Sequence, residues 1–185
     1  MSLIFATHAT PDGPFTVVAS PTALIAAGWT DDVAVLMDNV APSLLPTDGV
    51  RPAAGEPIIE RALAAIDAYY DGDFAAVSTL PVQQVSGPFR QRAWAALRTI
   101  PAGQAVTYTE LAGLAGVPTA SRAAGSACSH NAVALFVPCH RVVTSDGRTG
   151  HFGYGAELKQ TLLAREGWLG LTVNPGQSRL PLSAG

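Results

Sequence analysis

The segment spanning residues 107–129, TYTELAGLAGVPTASRAAGSACS, restricts the fold more than any other part of the chain. Thr107 and Glu110 have the Thr-x-x-Glu spacing of a capping box, in which each residue bonds the other's backbone where a helix begins. Gly116 and Pro118 interrupt that helix, and a second helix begins around Ser121. Two short helices joined by so tight a turn predict a helix-turn-helix.

The second of these helices carries almost no bulky side chain. Apart from Arg122, its residues are all small: Ala120, Ala123, Ala124, Gly125, Ser126, Ala127, Cys128 and Ser129. Small side chains allow a helix backbone to lie close to another surface. Two interpretations are open, namely tight packing against a neighbouring helix, or entry into a DNA groove with Arg122 as the long side chain of the first turn.

The remaining sequence predicts an α+β protein of two domains. Residues 1–85 form the first, a small antiparallel sheet with a helix, in which strands GPFTVVAS and ALIAAGWT are joined by a turn at Ser20-Pro21 and a helix covers 56–70. Residues 86–171 form the second, which is mainly helical, with a helix over 89–100 and a buried strand at 133–138. Residues 172–185 are predicted to be a flexible tail.

Charge is distributed unevenly between the two parts. The formal net charge is −3, but residues 1–80 carry two cations and ten acids, whereas residues 81–185 carry nine cations and four acids. The second part is therefore the one suited to a polyanion.

Several protein classes are excluded by composition. No apolar stretch approaches the roughly 20 residues that a membrane helix needs, and the N-terminus lacks the basic start of a secretory signal. Two cysteines make no disulfide framework, so we expect reduced thiols in a cytoplasmic protein. There is no cysteine before Cys128, and His8 stands alone, so no metal site is predicted.

One of the two thiols has an unusual setting. Cys139 follows the apolar run VALFVP and precedes His140 and Arg141. A thiol becomes a nucleophile when a base, a cation or a helix N-terminus stabilises its thiolate. His140 is adjacent, yet neighbours on an extended chain point to opposite faces, so contact between the two needs a turn or a bridging water. From the residues alone, a catalytic Cys139 and an inert buried Cys139 are equally open. The nearest downstream acid in a predicted helix is Glu166, in LLAREGWL, and its carboxylate could orient the imidazole of His140.

The motifs around Cys139 resemble a known family. VPCHRVV, with Asn131 before it and LLAREG after it, is similar to the active-site signature of the O6-alkylguanine-DNA alkyltransferases. The stretches FRQRAWAALRTIPAGQAVTYTELAGLAG and SRAAGSACSHN resemble the segments that precede that signature. The resemblance covers about residues 86–170, and it is faint over residues 1–80, where TPDGPFTVVA is similar to the family's opening strand pair. It implies a ribonuclease H-like N-terminal domain.

The resemblance implies a catalytic set made of Cys139, His140, Glu166 and Asn131. Cys139 is the expected acceptor of the alkyl group, and His140 the base that acts through a water. Glu166 is expected to orient the imidazole, and Asn131 to hold the turn before the active site. Since a thioether has no leaving step, the protein is expected to be consumed in one turnover, without a cofactor.

It also implies a DNA partner: duplex containing O6-alkylguanine, and O4-alkylthymine as a further substrate. The protein is expected to be a monomer in solution, to bind DNA through the minor groove and to extrude the damaged base. The residues expected to contact substrate or DNA are Tyr108, Arg122, Ala123, Ser129, Arg141, Val142, Phe152 and Gly153. Among them, Arg122 fills the gap left by the extruded base.

The chain departs from the family pattern at two cavity positions. Phe152 stands where many relatives have tyrosine, and Gly153 where some have a hydroxyl residue, so donors to the guanine oxygen are reduced. An alkyltransferase-like protein that binds the lesion without repairing it is therefore an alternative, although that class carries tryptophan at the acceptor position. A Cys-His hydrolase and a helix-turn-helix regulator are two further alternatives; the first leaves the helix-turn-helix unexplained, and the second lacks base-reading side chains.

Overall fold

The computed structural model describes residues 2–170, so the predicted tail at 172–185 lies outside the described residues. The strands in this range are β1 (Leu3–Thr10), β2 (Gly13–Ala19), β3 (Leu24–Gly28), β4 (Val50–Pro52), β5 (Val106–Thr107) and β6 (Val142–Val143). The helices are α1 (Val33–Met37), α2 (Pro57–Tyr70), α3 (Pro88–Leu97), α4 (Tyr108–Leu114), α5 (Ser121–Ser129) and α6 (Ala156–Arg165). None of these helices is long and apolar enough to cross a membrane.

The N-terminal part is built on a four-stranded sheet of order β3-β2-β1-β4. β2 pairs antiparallel with β3, as predicted, and also with β1, while the short β4 runs parallel to β1. β1 itself was missed, because its sequence LIFATHAT alternates poorly and half of its side chains are only partly buried. The predicted β2–β3 connection at Ser20 is confirmed, with the Ser20 hydroxyl accepting a hydrogen bond from the backbone of Ala23 at 3.1 Å.

Helix α2 packs against this sheet through one apolar face. Pro57 occupies its first turn, where the missing N–H costs nothing. The buried residues recur at helical spacing: Ile58, Ile59, Ala62, Ala65, Ile66 and Tyr69. At the end of this face Tyr69 is fully buried, whereas the neighbouring Tyr70 is only partly covered.

The helix-turn-helix is present as predicted. The capping box forms at its start: Glu110 accepts a 2.6 Å hydrogen bond from the Thr107 N–H, and the Thr107 hydroxyl accepts one of 3.2 Å from the Glu110 N–H. Gly116, with φ +86°, makes the break between α4 and α5. The Trp94 indole N–H of α3 donates to the Ala127 carbonyl at 2.9 Å, and Ala124 and Ala127 are fully buried. One face of the small-residue helix thus serves close helix packing.

Arg92 in α3 and Arg98 directly after it donate hydrogen bonds to backbone carbonyls. Arg92 donates to the carbonyl of Ala115 at the end of α4, at 2.8 Å. Arg98 donates to the carbonyls of Ser78 and Leu80. The positive charge of this part of the chain is therefore only partly available to a polyanion.

The predicted strand at 133–138 is wrong. Only Val133 pairs, in a single bridge with Ala27 at the edge of the sheet, and the chain then coils into turns with Leu135 at φ +69°. Val133 to Val137 are nonetheless at most 1% exposed. The apolar run predicted burial correctly, but burial alone does not distinguish a strand from a compact buried turn. The predicted domain boundary near residue 85 stays a prediction.

Candidate active site

Cys139 lies where this buried turn meets a short 3-10 helix, Cys139–Arg141. Its side chain is mostly covered, and the Asn131 amide donates both to its Sγ at 3.2 Å and to the Val137 carbonyl at 2.7 Å. Burial raises the pKa of Cys139, while the Asn131 hydrogen bond and the charge of Lys159 oppose that increase. The thiol is therefore protonated at rest and needs a base to become a nucleophile.

His140 has the features of such a base. Its Nε2 lies 2.8 Å from Oε1 of Glu166, and since the carboxylate can only accept, Nε2 carries the proton. Burial lowers the pKa of His140 despite the opposing effect of Glu166, so the ring is neutral near pH 7. Its Nδ1 is then an unprotonated acceptor, and this buried atom has no hydrogen-bond partner within residues 2–170. His140 is thus poised to take up a proton at Nδ1.

Glu166 is held by an extensive set of donors. Within the described chain, its carboxylate accepts hydrogen bonds of 2.8–2.9 Å from His140, from Arg141 twice, and from Tyr69. Burial by itself would raise the pKa of Glu166, but the hydrogen bonds and charges of His140 and Arg141 outweigh it and lower the pKa to about 2. Glu166 is therefore a fixed negative charge behind the imidazole.

Arg141 and Val142 are not at a surface that DNA could reach. The Arg141 guanidinium is 3% exposed and is occupied by Glu166 and by the Ile100 carbonyl. Val142 is fully buried and pairs with Val106 in the small β5–β6 sheet. The expectation that these two residues contact DNA or substrate is therefore corrected: Arg141 orients Glu166, and Val142 belongs to the core.

A cavity of about 410 Å³ opens in front of the thiol. Its walls include six of the residues that the sequence indicated, namely Tyr108, Ser129, Asn131, Cys139, Phe152 and Gly153. Burial raises the pKa of Tyr108 to about 12, so its hydroxyl remains a proton donor. A Cβ at Gly153 would meet no atom within 4 Å, so the space beside this glycine is open.

The other predicted contacts lie on α5. Arg122 is exposed in its first turn, Ala123 is half-buried, and Ser129 is exposed at its end. Gly125 faces the Tyr108 ring, which a Cβ at this position would approach to 3.8 Å. The face of α5 that carries these residues therefore borders the cavity and solvent, whereas the face with Ala124 and Ala127 packs against α3.

Sequence reasoning missed two residues of this site. Lys159 is 1% exposed, its Nζ donates to the His151 carbonyl at 3.2 Å, and its charge partly opposes the increase in the pKa of Cys139 that burial causes. Its position seven residues before Glu166 puts it on the same face of α6, a signal that was available. Tyr69 comes from the N-terminal part, and no local pattern connects it with Glu166. Among residues 2–170 there is no cluster of His, Cys, Asp or Glu side chains that could hold a metal ion.

Comparison with known proteins finds relatives over most of the chain. Residues 88–168 match the family described as 6-O-methylguanine DNA methyltransferase, DNA binding domain. The chain is 34% identical to the methylated-DNA–protein-cysteine methyltransferase of Mycolicibacterium paratuberculosis, across 82% of this chain and 91% of that protein.

Two further similarities extend the comparison. The chain is 47% identical to the bifunctional transcriptional activator/DNA repair enzyme Ada of Escherichia coli over 48% of its length, but it spans only 25% of that longer protein. The fold is similar to that of the Mycobacterium tuberculosis protein solved in complex with DNA, with a TM-score of 0.72, 28% identity, and coverage of 90% of this chain and 93% of that one. The α+β prediction is confirmed by this match.

Proposed function

The chain belongs to the methylated-DNA–protein-cysteine methyltransferase family, and from that premise we propose that it repairs DNA by transferring the alkyl group of O6-alkylguanine to Cys139. The observation that carries the proposal is a nearly buried thiol at the end of a cavity, with a neutral imidazole and a fixed carboxylate behind it. DNA is the partner of this family. The O6-alkyl lesion and its approach through the minor groove are part of the proposal.

The proposed reaction begins with the proton of Cys139. His140 Nδ1 takes that proton through a bridging water, because the imidazole makes no direct hydrogen bond to the thiol among the described residues. The imidazolium that forms is stabilised by Glu166 at 2.8 Å. The negative charge of Glu166 thus favours the thiolate indirectly, by making His140 a stronger base.

Transfer then exchanges one bond for another. The Cys139 sulfur forms a bond to the alkyl carbon while the bond from that carbon to guanine O6 breaks. The leaving guanine takes up a proton, which the Tyr108 hydroxyl at the cavity wall is placed to donate. The imidazolium of His140 then returns the proton of the thiol, through water, to the Tyr108 phenolate, so both side chains regain their starting states. The sum is one thiol and one O6-alkylguanine converted to one thioether and one guanine, so no cofactor is consumed.

A thioether does not hydrolyse in water at neutral pH, so each protein molecule repairs one lesion. With a tenfold excess of duplex carrying a single O6-methylguanine, we expect the restored guanine to reach one equivalent per protein and then to stop. Nucleoside analysis of the digested duplex measures this. Continued turnover would contradict the proposal and indicate a hydrolase.

The lesion reaches the thiol only if the base leaves the stack, because Cys139 is almost fully covered. Arg122 is exposed, lies in the first turn of α5, and is flanked by small residues that allow close approach to a groove. These features support a role for Arg122 in filling the space that the extruded base leaves behind. Ala123 and Ser129 are proposed to lie against the DNA backbone on the same helix.

Replacing Arg122 by Ala is expected to slow repair of duplex DNA by about 10- to 100-fold, since extrusion costs a few kcal/mol that the side chain helps to offset. Reaction with the free O6-methylguanine base, which needs no extrusion, is expected to be unchanged. Arg61→Ala removes an exposed arginine from α2 and serves as the matched loss of charge. Equal slowing with duplex and with free base would remove the proposed role of Arg122.

A further inference from the structure

The carboxylate of Glu166 receives one of its hydrogen bonds from the opposite part of the chain. The Tyr69 hydroxyl donates to Oε1 of Glu166 at 2.8 Å, and the two residues are 97 positions apart. The same oxygen accepts the Nε2 proton of His140, also at 2.8 Å. A residue of helix α2 thus shares a single acceptor atom with the imidazole.

The hydroxyl of Tyr69 is not needed to hold its ring in place. The ring is fully buried and packs edge-on against Tyr70 and Phe74, with centroid distances of 5.4 and 5.2 Å. Burial and the charge of Glu166 raise the pKa of Tyr69, so the phenol keeps its proton and remains a donor. The Tyr69 ring therefore makes the packing contacts, while the Tyr69 hydroxyl bonds the Glu166 carboxylate.

We propose that Tyr69 is a positioning residue that sets the proton affinity of His140 through the shared oxygen of Glu166. Oε1 of Glu166 accepts hydrogen bonds from three donors: His140 Nε2, Arg141 Nη2 and the Tyr69 hydroxyl. If the phenol is removed, more of the negative charge is left for the imidazole. The hydrogen bond from His140 strengthens, and the imidazolium becomes more stable.

The other charged groups that face His140 are unchanged by this substitution. They are Arg141 and Lys159, which disfavour the imidazolium, and Glu166, which favours it. The N-terminal part thereby influences the chemistry through Glu166. The role in alkyl transfer rests on the proposed function, whereas the effect on His140 does not.

The test compares Tyr69→Phe with Tyr70→Phe. The second variant is a matched control, because the Tyr70 hydroxyl on the same helix bonds Asp12 and Trp29 instead of Glu166. In the free protein, the NMR resonance of the His140 Nε2 proton is expected to move downfield in Tyr69→Phe and to stay in place in Tyr70→Phe. The acid limb of the single-turnover methyl-transfer rate is expected to move to higher pH by about half a unit to one unit in Tyr69→Phe only.

A purely structural tyrosine would lower the melting temperature without moving either readout, and that result would overturn the proposal. An equal shift in both variants would overturn it as well. If Tyr69→Phe does not fold, 3-fluorotyrosine placed at position 69 keeps the ring and donates more strongly, and the Nε2 proton is then expected to move upfield. A proton shift in a protein that transfers no methyl group would refute the proposed function and leave the coupling of Tyr69 to His140 intact.

Discussion

Replacing His140 by Gln is expected to slow methyl transfer at neutral pH by about 10²- to 10⁴-fold, the usual contribution of a general base. Glutamine retains a donor for Glu166 but offers no basic nitrogen in place of the buried Nδ1. Burial raises the pKa of the Cys139 thiol, so few molecules would ionise without help. Single-turnover rates on an O6-methylguanine duplex measure the loss.

The pH dependence distinguishes a lost base from a damaged fold. In His140→Gln the thiol can lose its proton only to solvent, so the rate is expected to rise about tenfold per pH unit above neutrality and to approach the wild-type rate. His8→Gln serves as the control, since that histidine pairs with Asp67 in the N-terminal part. A wild-type rate at pH 7 in His140→Gln would refute the proposed relay.

Replacing Arg141 by Met is expected to destabilise the protein by about 3–5 kcal/mol. The substitution leaves the Glu166 carboxylate buried, with its side chain 0% exposed and without the cation that neutralises it. It also removes the donor to the Ile100 carbonyl. Urea unfolding curves of the two proteins at pH 7 measure the difference.

Two further variants and a pH series test whether the uncompensated charge of Glu166 causes this loss of stability. Arg148→Met breaks an ion pair whose side chains are 85% and 55% exposed, and it is expected to cost less than about 1 kcal/mol. Adding Glu166→Gln to Arg141→Met removes the uncompensated charge and is expected to restore part of the stability.

The pH series follows from the lowered pKa of Glu166, about 2 in the folded protein against its ordinary value of 4.5. Stability from a depressed carboxyl is present above the unfolded pKa and is lost as the pH falls towards the folded one. The deficit of Arg141→Met is therefore expected to be full above about pH 4.5 and to shrink below it. A constant deficit from pH 7 to pH 3 would contradict the assigned charge state.

Local sequence signals predicted those features that depend on neighbouring residues. The Thr107–Glu110 spacing is sufficient to place the start of α4, because both capping bonds form within one turn. Glu166 was a candidate partner of His140 as the nearest acid in a downstream helix, and the resemblance supported this choice, because local pattern alone does not join residues that are 26 positions apart. For the buried turn at 133–138, the sequence reports the burial but not the backbone path, because the decisive partners are the edge of β3 and the Asn131 amide.

The features that sequence reasoning missed depend on long-range packing. The resemblance implied that Arg141 contacts substrate or DNA, yet Arg141 is buried because Glu166 and the Ile100 carbonyl converge on it. Tyr69 and Tyr70 are adjacent residues of the same type, so the sequence does not show which of them reaches Glu166. Only the packing of α2 decides which of the two hydroxyls reaches the carboxylate.

The most direct test of the account is the intact mass of the protein after mixing with excess duplex that carries one O6-methylguanine, with Cys139→Ser treated in parallel. We expect the wild-type protein to gain the mass of one methyl group and no more, with the modification mapped to Cys139 by peptide analysis, and the variant to gain nothing. Lesion binding without any gain of mass would contradict the account and identify a recognition protein whose thiol does not react. A methyl group on Cys128 instead would refute the assignment of the acceptor.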